Sequence, residues 1–367
     1  MLKGIKPDGD SVYIIADEKQ RFYFTGFKSS FGYLVITEKE NVYYTDLRYL
    51  SAVKARLKGS NVKVEEANSF EPVKKYIADN GFKKIGIDYT VTFVSDEKDF
   101  KSTGLEVFDI SGELCSVMAI KTPEELKIIK ESCKIAEESF YEVIKLLRTG
   151  ITEKEVANEF EYIMKKKGAE DVSFDLIIAF GANSAVPHHE TDDTKLKEND
   201  VVLMDFGCLY KGYCSDMTRT FIYGEPSEGF VKDYNAVLLS AKTAEENIKE
   251  GMTGRTADAF ARDVLGKAGL ATYFTHSLGH GIGVNIHEYP RLSVKADNVL
   301  KNNMVFSIEP GVYLDGAYGI RIEDTVALID GKVERFMTDD KSLMKIDIKN
   351  NYIKEKNPRR NIYDFSR

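Results

Sequence analysis

The sequence predicts two domains in series, a small α/β domain followed by a larger α+β domain. Three observations carry this expectation. The chain has 367 residues, enough for about two domains at roughly 150 residues each. Its first 110 residues alternate β-branched and aromatic runs with helical spacings. From Thr122 onward two amphipathic helical patterns come first, and strands with glycine-rich turns follow from Phe174. Hydrophobic residues at 43% and charged residues at 30% supply a sizeable core and exclude a disordered chain.

In the first part, Ser11 to Ala16 (SVYIIA), Phe31 to Thr37 (FGYLVIT), Asn41 to Thr45 (NVYYT) and Lys84 to Asp88 (KIGID) read as strands. Asp46 to Leu57 places Leu47, Leu50, Val53 and Leu57 at helical spacing, with Asp46 as the expected N-cap. Tyr43, Tyr44 and Tyr49 are expected to pack rather than recognise a ligand, and no catalytic constellation is found here. In the second part, Thr122-Pro123-Glu124-Glu125 opens a helix: Thr caps it, Pro takes the first helical position, and acids meet the positive end of the dipole. Leu126, Ile129, Cys133, Ala136 and Phe140 share one face, and the pattern stops at Thr149-Gly150. Thr152 to Glu155 (TEKE) is a capping box for a further helix reaching Lys167. The stretch after Lys345 is polar and basic and reads as a tail. The expected boundaries are 1–118, 119–345 and 346–367.

Charge narrows the function classes. Lys+Arg number 51 against Asp+Glu 59, a net charge of -8, which disfavours a nucleic-acid binder. No apolar run approaches the roughly 18–20 residues that span a bilayer. Met1 to Asp10 carries Lys3, Lys6, Asp8 and Asp10 and does not read as a signal peptide. Four cysteines make no disulfide framework, so a cytoplasmic setting is expected.

The chemistry concentrates in a short part of the chain. All five histidines, His188, His189, His276, His280 and His287, lie within 100 consecutive residues. Val201 to Phe221 holds two strand-like runs around Tyr210-Lys211-Gly212. Folding it about 210–211 sets Asp205 opposite Asp216, with Cβ atoms roughly 4.5–5.5 Å apart. Two carboxylates that close repel unless a cation sits between them. Phe306 to Val326 repeats the pattern: folding about Gly316 sets Glu309 opposite Glu323. His280 stands between Gly279 and Gly281, where glycine permits close approach. One imidazole and four carboxylates can hold two divalent ions, and an oxygen-rich set of that kind suits Mn²⁺. Gly281-Ile282-Gly283 lacks the strand and helix context of a phosphate loop. Cys208 and Cys214 are read as small buried hydrophobes.

The strings MDFGCLYKGYCSDMTRTF, HSLGHGIGVNIHEYP and IEPGVYLDGAYGIRIED resemble the two-metal pita-bread peptidases, among them Xaa-Pro aminopeptidase and Xaa-Pro dipeptidase (prolidase). YFTGF and TDLRYLSAVKARL are similar to the creatinase-type N-terminal domain of the proline-specific members. The resemblance implies an α+β pita-bread catalytic domain preceded by a smaller α/β creatinase-type domain. It implies metal ligation by Asp205, Asp216, His280, Glu309 and Glu323, with Asp216 and Glu323 bridging two ions. Mn²⁺ is the expected metal, with Co²⁺ or Zn²⁺ as alternatives. A hydroxide between the metals would attack the scissile carbonyl while Glu309 moves its proton. His188, His287 and Arg321 are the implied catalytic partners, and His276 a pocket residue. His189 stands where glycine is common in the family, so either His188 or His189 can be the functional one. The implied activity is Xaa-Pro aminopeptidase, acting on peptides with proline second; Xaa-Pro dipeptidase is the alternative from the same site. A homodimer is also implied. A non-catalytic pita-bread binding module is the rival from another class, and such relatives lose metal ligands that this chain keeps.

Overall fold

The structure is a computed structural model that describes residues 4–348 and the backbone of 352–353. It separates into two compact units between Met118 and Ala119. The first is built on a six-stranded mixed sheet, in the order Val62–Glu66, Asn41–Thr45, Tyr33–Ile36, Ser11–Ile15, Lys84–Ile87 and Glu106–Asp109. Its core gathers Val12, Ile14, Val35 and Val42 with Val73, Ile77, Ile85, Ile87 and Phe100. Tyr44 belongs to it, and Tyr43 is buried on the other face of the strand, where its hydroxyl meets Ser29 and Arg21. Asp46 is not an N-cap. Its carboxylate accepts from the Arg48 backbone and guanidinium, and the helix begins only at Leu50. Leu47 therefore falls outside the helix and is exposed.

In the second unit the caps expected at Thr122 and Thr152 both form full capping boxes, with Glu125 and Glu155 as the reciprocal partners. Their helices, Pro123–Val143 and Glu153–Lys166, send Phe140 and Phe160 against Phe206, with ring centroids 5.4 and 4.5 Å apart. Burying side chains of this size contributes about 2–3 kcal/mol each. Helices Glu228–Asn247 and Gly254–Lys267 share one core with Phe306, Ile308, Val326 and Leu328. Strand alternation then turns Asp205, Thr218, Ser307 and Glu323 away from these packed faces. One large sheet carries Ile177–Phe180, Asp200–Phe206, Met217–Tyr223, Glu323–Ile329, Val305–Ile308, Gly279–Gly281 and Glu288–Leu292 as successive neighbours.

Lys345–Asp347 adds a strand parallel to Met217–Tyr223, with Ile346 buried. The expected tail from 346 thus begins inside the sheet, because Ile346 and Ile348 alternate with polar residues at the strand period. Residues 349–351 and 354–367, also assigned to that tail, lie outside the described residues. Among the described residues no helix is long and apolar enough to cross a membrane.

Candidate metal centre

Five neighbouring strands bring five donors together. Asp205 lies on Asp200–Phe206, Asp216 directly precedes Met217–Tyr223, and Glu323 opens Glu323–Ile329. Glu309 follows Val305–Ile308, and His280 is central in Gly279–Gly281. The two hairpins differ in how they reach this result. Both ladders of the second obey the predicted register, Leu314 facing Tyr318 near the turn and Val305 facing Ala327 far from it. Glu309 and Glu323 are therefore equidistant from Gly316, across a ladder that breaks at Pro310. The first hairpin is centred one residue later than predicted, on Lys211-Gly212, both at positive φ (48° and 80°). Asp205 consequently faces Thr218, not Asp216. That correction moves the partner by two residues, so Asp216 keeps the same face.

Close backbone packing aims His280. A Cβ at Gly279 would stand 2.0 Å from the Ser307 carbonyl oxygen, and one at Gly281 would stand 2.3 Å from that of Tyr289. A bulge between His280 and Gly281 turns the imidazole toward the acids. His280 Nδ1 donates to the Gly281 carbonyl at 3.1 Å, which leaves Nε2 with its lone pair. Nε2 lies 3.4 Å from Glu309 Oε1 and 3.5 Å from Asp216 Oδ2. Donors bound at about 2.1 Å to one small cation stand about 3–3.5 Å apart, so these spacings fit a shared ion. Burial lowers the His280 pKa and keeps the ring neutral, as a ligand must be.

The acids show the complementary strain. Burial, then Glu323, Asp205 and Glu309, push the Asp216 carboxyl well above its usual range. Burial, then Glu309 and Asp205, do the same to Glu323. Glu309 rises to about 7, chiefly through burial, against the opposing pull of Arg321. Asp205 Oδ1 and Glu323 Oε1 are, with Asn298 Nδ2, the buried side-chain polar atoms without a hydrogen-bond partner among the described residues. Buried carboxylate oxygens are rarely left so. Divalent cations answer all of these features together, and the donor set fits two of them.

A cavity of about 510 Å³ opens over these residues. His188, His276, His287, Arg291 and Arg321 line it with all five donors. His287 lies edge-on to His280, centroids 4.3 Å apart, and burial lowers its pKa to about 4. Arg321 donates to Asp205 Oδ2 at 2.6 Å, to the Tyr313 hydroxyl at 2.7 Å and to the Pro187 carbonyl at 3.2 Å. His276 sends Nδ1–H to the Ser277 carbonyl and accepts at Nε2 from Tyr313, while burial lowers its pKa to about 3. His189 does not line this cavity. It points the other way, with Nε2 2.7 Å from Glu153 Oε2. Cys208 is buried, bonded to Ser132, and is likewise outside the cavity lining.

Sequence reasoning missed Arg291, for which no local pattern exists, and an ionic layer on the opposite face of the sheet. There Arg219 reaches Asp324 Oδ1 at 2.7 Å and the Glu323 carbonyl at 2.6 Å, while Lys341 lies 2.9 Å from Asp324 Oδ2. Burial would raise the Asp324 pKa, yet Lys341, Arg219 and Arg335 outweigh it and hold the carboxyl well below its usual range. Asp324→Asn leaves these cations under-compensated in the interior. It should lower stability by about 3 kcal/mol or more, read as a reduced denaturation midpoint.

The sequence profile of metallopeptidase family M24 matches residues 127–330, and that of the Creatinase/Prolidase N-terminal domain matches residues 2–117. The Xaa-Pro dipeptidase of Pyrococcus furiosus is 36% identical over 338 residues, which cover 91% of this chain and 95% of that protein. A solved Xaa-Pro dipeptidase from Bacillus anthracis superposes with a TM-score of 0.88 at 36% identity, covering 91% of this chain and 94% of that one. An X-Pro aminopeptidase from Thermotoga maritima gives a TM-score of 0.86 at 34% identity, covering 92% and 98%. The chain therefore belongs to metallopeptidase family M24, with a creatinase-type N-terminal domain ahead of its pita-bread peptidase domain.

Proposed function

We propose that this protein is an Xaa-Pro dipeptidase with a dinuclear metal centre. His280 and Glu309 would hold one ion, Asp205 the other, and Asp216 and Glu323 both. When bound, such a pair makes hydroxide available near neutral pH and neutralises charge that develops on the carbonyl oxygen. The remaining work falls to the chain. Glu309 would take a proton from the attacking water and return it to the prolyl nitrogen, which cannot leave unprotonated. His188 and His287 flank the same space as hydrogen-bonding partners for the substrate amide. Arg321 fixes Asp205 and, through the Pro187 carbonyl, the segment that bears His188.

Arg291 carries the choice of dipeptidase. It lines the cavity, is exposed, and no described residue engages its guanidinium in a hydrogen bond or ion pair. Arg321, the other arginine there, is already committed to Asp205. An available guanidinium in the same cavity as the five donors suits the free carboxylate of a terminal proline. The names of the relatives support the same side, so we place dipeptidase ahead of the aminopeptidase that the sequence alone favoured. The likeness to the Thermotoga maritima aminopeptidase keeps that second reading in play. Ala-Pro should be cleaved faster than Ala-Pro-Ala, and Arg291→Gln should raise KM for Ala-Pro about tenfold with little change for the tripeptide. Preferential cleavage of Ala-Pro-Ala would establish the aminopeptidase instead. A manganese-loaded centre, a homodimer and a cytoplasmic setting belong to the same proposal. They are supported by the oxygen-rich donor set, by the family resemblance, and by a cysteine count of four in 367 residues, too few for a disulfide framework.

A further inference from the structure

The histidine pair at 188–189 splits between two environments, and the second has not been explained by the metal centre. Glu153, the first residue of its helix, is fully buried. Both of its carboxylate oxygens are filled. Oε1 accepts from the Phe180 backbone at 2.7 Å and from Asn183 Nδ2 at 2.9 Å. Oε2 accepts from His189 Nε2 at 2.7 Å and from the Asp192 backbone at 3.1 Å. The helix start adds two more ties, Glu153 N to Thr194 O and Lys154 N to Asp192 O, each 3.1 Å.

Glu153, His189 and Asp192 stand close enough to hold a cation. The filled oxygens argue otherwise: the imidazole donates directly to the carboxylate, where Asp205 and Glu323 keep bare oxygens. Glu153 instead gathers four points of one loop, at 180, 183, 189 and 192. The loop's remaining side carries His188 into the cavity and offers the Pro187 carbonyl to Arg321.

We propose that Glu153 and His189 are positioning residues, a buried carboxylate–imidazole staple that sets the loop so that His188 meets the substrate. This rests on the reading of the cavity as the peptidase site. Glu153→Gln replaces one acceptor oxygen by an amide that faces two donors, so two of the four bonds are lost. His189→Ala removes one bond only and serves where Glu153→Gln does not fold.

The test is a coupling cycle with His188→Ala on the manganese-loaded full chain, with Ala-Pro as substrate and bound manganese measured in parallel. Glu153→Gln and His189→Ala should each lower kcat by about 10- to 100-fold, the scale of a reacting group displaced by about 1 Å, with manganese content unchanged. His189→Gln, which can restore a donor, should recover part of the loss. In the His188→Ala background the same changes should cost less than threefold more, because their effect passes through His188. Equal fractional losses with and without His188, or single variants within twofold of the parent, would overturn the staple. An inactive manganese-loaded parent would instead refute the peptidase reading itself.

Discussion

Removing divalent cations should abolish peptide hydrolysis and lower the thermal midpoint, and manganese should restore both, with a stabilisation that grows from about pH 5 to about pH 8. The sign follows from the crowded acids. In the cation-free fold Glu309 titrates near 7 against an ordinary 4.5, and Asp216 and Glu323 are also raised, burial being the leading cause for all three. Each holds its proton in the folded chain at a pH where the unfolded chain has released it. A fold that binds more protons than its unfolded chain loses stability as the pH rises. For Glu309 that loss runs from about pH 4.5 to about pH 7. Cations displace these protons and reverse the penalty, so their contribution is greatest where the acids most need to ionise. At manganese one hundred times its Kd the gain is about 2.7 kcal/mol, or about 5–10 °C for a unit of this size. Differential scanning fluorimetry across pH with and without manganese measures it. A midpoint indifferent to manganese at pH 8, or hydrolysis that survives exhaustive chelation, is incompatible with acids gathered for cations.

Much of this site could be read from the sequence because its donors sit beside strong local signals. Gly316 marks a turn centre, and a register counted outward from it holds through Val305, eleven residues away. The same method misplaced Asp216 by two positions, since Lys211 and Gly212 share a left-handed turn that only Gly212 advertises. The face survived because strand side chains alternate with period two. Strands rich in β-branched and aromatic residues were equally visible, whereas Val62–Glu66 and Glu106–Asp109 were not. Both are edges of their sheet, half-solvated and polar, and so lack the hydrophobic run that marks a central strand. Arg291 and the Arg219–Asp324–Lys341 layer stayed hidden for another reason. Their partners are distant in sequence, and nothing local distinguishes a cavity arginine or a buried ion pair from surface charge. Glu153 illustrates the same limit, since it reads as an ordinary first-turn acid until the loop returns to it.

Glu309→Gln should reduce kcat by about 10²- to 10⁴-fold while KM and the fold change little. The substitution keeps shape and keeps one oxygen that can accept the Ser307 hydroxyl, which donates to Glu309 Oε1 at 3.0 Å. What it removes is a group able to gain and lose a proton. Beside bound cations Glu309 is ionised, and its carboxylate would accept a proton from the attacking water and give it up to the departing nitrogen. The contrast with Asp324→Asn separates chemistry from scaffolding. Asp324 lies behind the site in the ionic layer, so its loss should lower the midpoint and leave kcat near that of the parent at temperatures where the fold persists. Steady-state kinetics on Ala-Pro, with circular dichroism and metal content for both variants, decides between these patterns. If Glu309→Gln retains kcat within tenfold of the parent while still binding metal, the proton must travel by another residue, and His188, His287 and Asp175 are the further proton-transferring groups lining the cavity that are neither metal donors nor bonded to Tyr313.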